Sequence, residues 1–201
     1  MPPKLDPDEM SDLNVDQLIL SRFSDVSAVY ASRAEFMSSM PVQSLFDSAT
    51  TIRASGLSLN MLCHQYGEHS MRALLEGGTQ IECLFLDPDG SATRHREQEE
   101  NYAPGRLRDL TRLNIQTLID RVVNCLSPEA KPNLKLAVYD QTIRFNITLI
   151  DDQLGIIQPY LYSQRGLESP TFVLRRRWER QGLFPVFEAI YTSLWEGGQE
   201  V

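Results

Sequence analysis

Arg144 and Asn146 stand two residues apart in the apolar run Thr142 to Ile150, and that spacing is a first sign of chemistry. Strand alternation sends Ile143, Phe145, Ile147 and Leu149 to one face, which must be core, and Arg144, Asn146 and Thr148 to the other. A guanidinium on such a face is costly to desolvate unless it meets an anion or a hydrogen-bond acceptor. An internal carboxylate (Asp151, Asp87 or Glu82) and a bound anion both meet that need. His64 follows a strand end at Asn60-Met61-Leu62, where α/β proteins place ligand-binding loops, and makes a candidate polar pocket with Ser58 and Asn60. His64 and Asp151 are also the candidates for a nucleophile or base and its support, with Asp87 as a second carboxylate. On a helix His64 and His69 would lie roughly 140° apart, which spoils shared metal ligation. Cys63 beside His64 has no second metal-type pair, so no metal is expected. The loop Gln158 to Pro170 adds Gln158, the stacking surfaces Tyr160 and Tyr162, and Arg165 beside Gly166 as an anion clamp, or it is an edge loop with a Ser-Pro turn. Leu86-Asp87-Pro88-Asp89-Gly90 reads as a turn, with Mg²⁺ or a sugar hydroxyl as its functional alternative.

The elements that must position these residues follow from hydrophobic period and turn chemistry. The chain has 201 residues, 42% of them hydrophobic and 23% charged, enough for one sizeable core. Residues 1–27, acidic and proline-containing, read as a flexible leader, with a possible short helix at Val15 to Phe23; 28–201 read as a single domain. Ser32 caps a short helix to Met40 with Glu35 completing a capping box, and Pro41 opens another to Ala49. A strand from Thr51 to Asn60, a helix from Gly67 to Leu75 stopped at Gly77-Gly78, and an apolar strand from Gln80 to Leu86 make a βαβ unit with parallel strands. Residues 91–105 are polar and read as a loop or an exposed helical turn. Leu107, Leu110, Leu113, Leu118 and Val122 recur at helical spacing in a helix from Arg106 to Leu126. Strands are expected at Leu134 to Tyr139, Thr142 to Ile150, Gly155 to Leu161 and Thr171 to Leu174, the middle two forming a hairpin around Asp151-Asp152-Gln153. A last helix runs from Leu183 to Trp195. The fold class is α/β, a mixed β-sheet flanked by helices.

Charge and composition limit the partners. A net charge of −8 and a pI of 4.9 argue against nucleic acid, because a net anion must overcome its own repulsion from phosphates. The local run Arg175-Arg176-Arg177, with Arg180 behind it, reads as a solvated turn, with a nucleic-acid patch as the minority reading. No run has the ~18 apolar residues of a membrane helix. The N-terminus has no signal-peptide core and the three cysteines show no paired spacing, so the expected location is cytoplasmic.

Arg144-Phe145-Asn146 and then Asp151, followed by Gln158-Pro159-Tyr160-Leu161, have the spacing of a known motif. The chain resembles, over roughly Pro41 to Trp195, a half-module of the phospholipase-D-like superfamily, which carries H-x-K-x4-D at the start of such a hairpin and G-S-x-N after it. Its Gly-Leu-Ser-Leu-Asn, Leu-Asp-Pro-Asp-Gly and Gln-Pro-Tyr-Leu segments also resemble an actinobacterial domain family sometimes fused to helix-turn-helix regulators. In the superfamily the histidine forms a covalent phospho-intermediate and the lysine stabilises phosphate oxygens. Here Arg144 and Asn146 take those places and only Asp151 is retained, so the resemblance implies a degenerate motif without a nucleophile. The expected function is therefore a non-catalytic sensor domain for a phosphorylated or nucleotide-like small molecule, held by Arg144, Asn146 and Arg165, with no cofactor. A phosphodiesterase with rewired residues and a purely structural interaction module are the alternatives. Half-modules that pair about a two-fold axis imply a homodimer.

Overall fold

A computed structural model describes residues 25–164, 166–177 and 182–201. The reading of Val15 to Phe23 as a helix, and the positions of Arg165 and Arg180, lie outside the described residues. The elements are β1 (Val26–Tyr30), α1 (Arg33–Ser39), α2 (Val42–Phe46), β2 (Thr51–Gly56), α3 (Glu68–Glu76), β3 (Gln80–Leu86), α4 (Ser91–Glu99), α5 (Arg106–Arg121), β4 (Leu134–Tyr139), β5 (Phe145–Ile150), β6 (Leu154–Pro159), β7 (Thr171–Arg175), α6 (Leu183–Glu196) and β8 (Gln199–Glu200). They build one eight-stranded sheet in the order β1-β7-β6-β5-β2-β3-β4-β8. β2, β3 and β4 are parallel, and every other pairing is antiparallel.

Alternation along the strands makes the two faces. Ile52 and Ala54 of β2, Ile81 and Cys83 of β3, Leu136 of β4 and Ile150 of β5 meet Phe36, Phe46, Met71, Leu75, Ile115 and Leu118 of the helices in one core cluster. Ile147 and Leu149 of β5, with Ile157 and Leu174, pack on Phe184 and Tyr191 of α6 across the sheet. β3 is buried on both faces, which is why its sequence is a near-continuous apolar run. The hairpin of β5 and β6 turns at Asp151 and Asp152, both at φ +52°, a left-handed pair that aspartate tolerates.

Two stretches depart from the sequence reading. β1 starts at Val26, before residue 28, because Asp25 ties this strand into the sheet: its backbone oxygen accepts from Arg175 N (2.7 Å) and its carboxylate accepts from Phe184 N (2.7 Å) at the start of α6. Residues 91–99 are a helix rather than a loop. The Asp140 carboxylate, far along the chain, accepts from Ser91 N (2.9 Å) and Ala92 N (2.8 Å) and caps α4. The buried side of α4 is Thr93, Arg96 and Glu97, so its period is written in polar residues. Glu97 in turn accepts from Gly105 N, Leu107 N and Arg108 N and caps α5.

Candidate functional site

The carboxyl ends of β2, β3 and β4 lie together, and the strand order changes direction of growth at β2, where β3 lies on one side and β5 on the other. A crevice at such a point is the usual ligand site of an open α/β sheet. Here it is a cleft of about 340 Å³. Leu57, Ser58 and Asn60 come from the loop after β2, and His64 and Gln65 from the π-helical turn Met61–Gln65. Glu100 and Tyr102 follow α4, Leu107 and Leu110 belong to α5, Tyr160 follows β6, and Gly166 and Leu167 close one wall. Arg33, at the start of α1, completes the lining.

The loop after β2 is held from behind. Thr111 Oγ1 donates to Leu57 O (3.2 Å), and Asn114 Nδ2 donates to Ser58 O (2.6 Å) and Asn60 Oδ1 (3.1 Å). Ser58 Oγ also donates to Asn60 Oδ1 (3.1 Å), and Leu57 N donates to the Tyr160 hydroxyl (3.0 Å). With its oxygen taken twice, Asn60 keeps Nδ2 without a partner among the described residues. Leu59 sits at φ +47°, a left-handed conformation rare for leucine and kept here by its burial at 4% exposure.

Arg33 is the most unusual residue of the cleft. Ser32 caps α1 by accepting from Glu35 N (3.1 Å), while Ala31 N donates to Glu35 Oε2 (2.9 Å), so the capping box fixes where the helix begins. That start places Arg33 on the same side as Phe36, and Arg33 is 8% exposed. Its Nε and Nη2 are buried with no hydrogen-bond partner among the described residues. Burial pushes its pKa below the ordinary value, and nearby Tyr160 opposes that shift. An unpaired buried ion carries an effective penalty of several kcal/mol, against a whole-domain stability of roughly 5–15 kcal/mol. Glu100, the carboxylate in the cleft wall, is engaged by Arg96, whose Nε lies 2.6 Å from it. Arg96 is 2% exposed, stacks over the Tyr160 ring at 5.2 Å and donates to the carbonyls of Leu161 (3.1 Å) and Gln164 (3.0 Å).

The sequence candidates are divided by this geometry. Ser58, Asn60, His64 and Tyr160 meet in the cleft. Asn146 and Gln158 face each other across β5 and β6 and are buried. Asn146 packs its amide against Gly56, where a Cβ would collide with it, and Gln158 Nε2 donates to Thr171 Oγ1 (2.9 Å). Arg144 is exposed and lines a different, largely apolar groove of about 540 Å³ between the start of β5 and α6. The desolvation argument therefore does not apply to Arg144, and the carboxylates considered for it are engaged elsewhere: Glu82 by Lys135 (3.2 Å), Asp87 by Asp89 N (2.8 Å) and Asp151 by Thr50 and Thr51. Asp151 stands at the start of β2 and His64 beyond its end, so six residues of strand, roughly 20 Å, separate them. Arg165 lies outside the described residues. Burial pushes the Cys63 thiol up to about 12, which leaves it a protonated core residue beside His64. Among the described residues, no three His, Cys, Asp or Glu are placed to hold a metal ion, and no helix is long and apolar enough to cross a membrane.

Arg33 and the Thr111–Asn114 support escaped sequence reasoning, although a signal existed for both. Arg33 is in phase with Phe36, Met37 and Met40, and Thr111 and Asn114 are in phase with Leu107, Ile115 and Leu118, so each is a polar residue on an apolar stripe. Leu113, counted as apolar face, is 58% exposed.

Residues 22–201 match the sequence profile of the family described as Domain of unknown function (DUF5919). No curated protein matches the chain. Among solved structures, TrmBL2, an archaeal chromatin protein with a novel mode of DNA binding, is 13% identical with a TM-score of 0.54, over 96% of this chain and 60% of its own. The phosphatidylserine synthase of Haemophilus influenzae Rd KW20 is 13% identical with a TM-score of 0.51, over 80% of this chain and 36% of its own. Nuc of Salmonella typhimurium, a phospholipase D family member, is 12% identical with a TM-score of 0.44, over 80% of this chain and 88% of its own. The chain thus spans less than two thirds of the length of TrmBL2 and about a third of that of the synthase. The fold is the α/β architecture expected from the sequence, a mixed β-sheet flanked by helices, and TrmBL2 and the synthase share it. The expectation that set nucleic acid aside is corrected: a DNA-binding chromatin protein has this fold over nearly the whole chain. Net charge sums the entire surface, whereas phosphate contacts are made by one face, so −8 does not exclude them.

Proposed function

The chain belongs to the DUF5919 family, and from that premise we propose that it is a non-catalytic sensor domain that binds a phosphorylated, nucleotide-like ligand in the cleft around Arg33. The observation that carries this reading is the Arg33 guanidinium, buried in the cleft lining with Nε and Nη2 unpartnered. Two adjacent N–H donors fit two oxygens of a phosphate, and an anion there relieves the desolvation of the cation. Asn60 Nδ2 and the exposed His64 ring supply further donors around the same space. The non-catalytic part rests on placement: among the described residues no carboxylate is hydrogen-bonded to His64 to orient it as a nucleophile or base, and Asp151 is at the far end of β2. The sensing part rests on Tyr160, which touches the Leu57 amide on one side and carries Arg96 on the other. A ligand that moves Tyr160 therefore moves the backbone of Leu161 and Gln164, which Arg96 holds.

Nucleotide phosphate occurs free and in nucleic-acid strands, and the test separates the two sources. Thermal shift and calorimetry with inorganic phosphate, AMP and a short single-stranded oligonucleotide, on wild type and Arg33→Met, are the experiments. The account expects wild type to be stabilised by AMP or the oligonucleotide, the ligand to be recovered intact, and Arg33→Met to bind at least about 30-fold more weakly, from the ~2 kcal/mol or more that one lost buried charge contact is worth. Phosphate compounds that do not bind, or that bind the variant equally well, overturn it.

A further inference from the structure

The cleft holds an orphan of the opposite kind to Arg33. Gln65 follows His64 on the turn Met61–Gln65 and lines the cleft, and its Oε1 is buried without a hydrogen-bond partner among the described residues. Its backbone oxygen accepts from Gln43 Nε2 (3.4 Å), which fixes the residue but leaves the side-chain oxygen unserved. A side-chain carbonyl only accepts, and the oxygens of a phosphate monoester dianion only accept as well. An ester whose phosphate meets Arg33 therefore leaves Gln65 unsatisfied unless its organic part carries a donor. A buried acceptor without a donor is penalised by an amount comparable to a lost hydrogen bond.

Asn60 lines the same cleft with Nδ2 unpartnered among the described residues, so a donor accompanies the Gln65 acceptor and the guanidinium. A hydroxyl group both donates and accepts, and is the group that such a pair reads. We infer that the ligand is the phosphate ester of a polyol, such as a ribose or glycerol phosphate, whose hydroxyl donates to Gln65 Oε1 while its phosphate meets Arg33. This rests on the anion-binding reading of the cleft and adds what must be attached to the anion. The volume of about 340 Å³ is at the lower end of the range for ligand sites, which suits one phosphorylated sugar unit.

The experiment is calorimetric titration of the full chain with glycerol 3-phosphate, propyl phosphate and inorganic phosphate. Propyl phosphate keeps the ester and the chain length and lacks the hydroxyls. Wild type is expected to bind glycerol 3-phosphate at least about tenfold more tightly than propyl phosphate. Gln65→Met is expected to bring the two to parity while its affinity for propyl phosphate stays within about twofold of wild type. Equal binding of the two esters by wild type overturns the inference without any variant, and so does discrimination that survives in Gln65→Met. Phosphate binding without discrimination removes only the polyol assignment; binding of none of the three removes the anion reading with it.

Discussion

The Asp151 carboxylate accepts from Thr50 N (2.7 Å), the Thr50 hydroxyl (2.7 Å) and Thr51 N (2.8 Å), so its charge is used inside the fold. Partial burial acts to raise its pKa, but those hydrogen bonds together outweigh it and hold the carboxyl below its ordinary value. A depressed folded pKa means that the stabilisation is complete above the ordinary carboxylate range, about 4, and is lost as pH falls through the folded value. Asp151→Asn keeps the left-handed turn and is expected to lower stability at pH 7 by about 1–3 kcal/mol, because hydrogen bonds to a charged acceptor are the stronger ones. Urea unfolding of both proteins checks this, with the gap closing at acid pH and the affinity for phosphate compounds unchanged. Arg33 is the opposite case. Its Nε and Nη2 find no partner among the described residues, and burial pushes its pKa below the ordinary value. At this scale the sequence was informative about which residues are polar and silent about which are satisfied. Arg144 drew attention through its strand, yet it is exposed, while Arg33 looked like one more charge in a capped helix start.

Among the elements, α4 is where sequence pattern and structure part most. Hydrophobic period identifies β3, α5 and the β5–β6 hairpin because their buried faces are apolar. α4 buries Thr93, Arg96 and Glu97, and each is satisfied by a partner outside the helix, so no apolar pattern marks it. β1 escapes for a related reason: it is a half-buried edge strand fixed by pairing with β7 rather than by its own five residues. Arg96 joins α4 to the loop after β6, and Arg96→Met is expected to lower stability by about 3–5 kcal/mol, the usual result of breaking a buried ion cluster from one side. Hydrogen exchange should then accelerate at 161–164 more than in β2 or β3. Uniform acceleration across the sheet would mean that Arg96 supports the whole domain rather than the cleft wall.

For the whole molecule, strand order explains why the cleft lies where it does. The parallel set β2, β3 and β4 points its carboxyl ends the same way, and β5 returns antiparallel beside β2, which opens space after Gly56. The βαβ unit and the hairpin were legible in sequence, and with them the end of the sheet that carries Ser58, Asn60, His64 and Tyr160. Long-range placement was not: nothing local shows that the first residue of α1 reaches the cleft formed after β2. Net charge was also read at the wrong scale, since −8 sums the entire surface while phosphate contacts are made by one face. The claim on which the account depends is that an anion occupies the space beside Arg33. The side-chain Nε–Hε resonance of Arg33, assigned by its loss in Arg33→Met, reports on that space directly during titration with AMP. The account predicts a saturable downfield shift of that resonance as the proton meets a phosphate oxygen. An Arg33 resonance that stays in place at saturating AMP would contradict it.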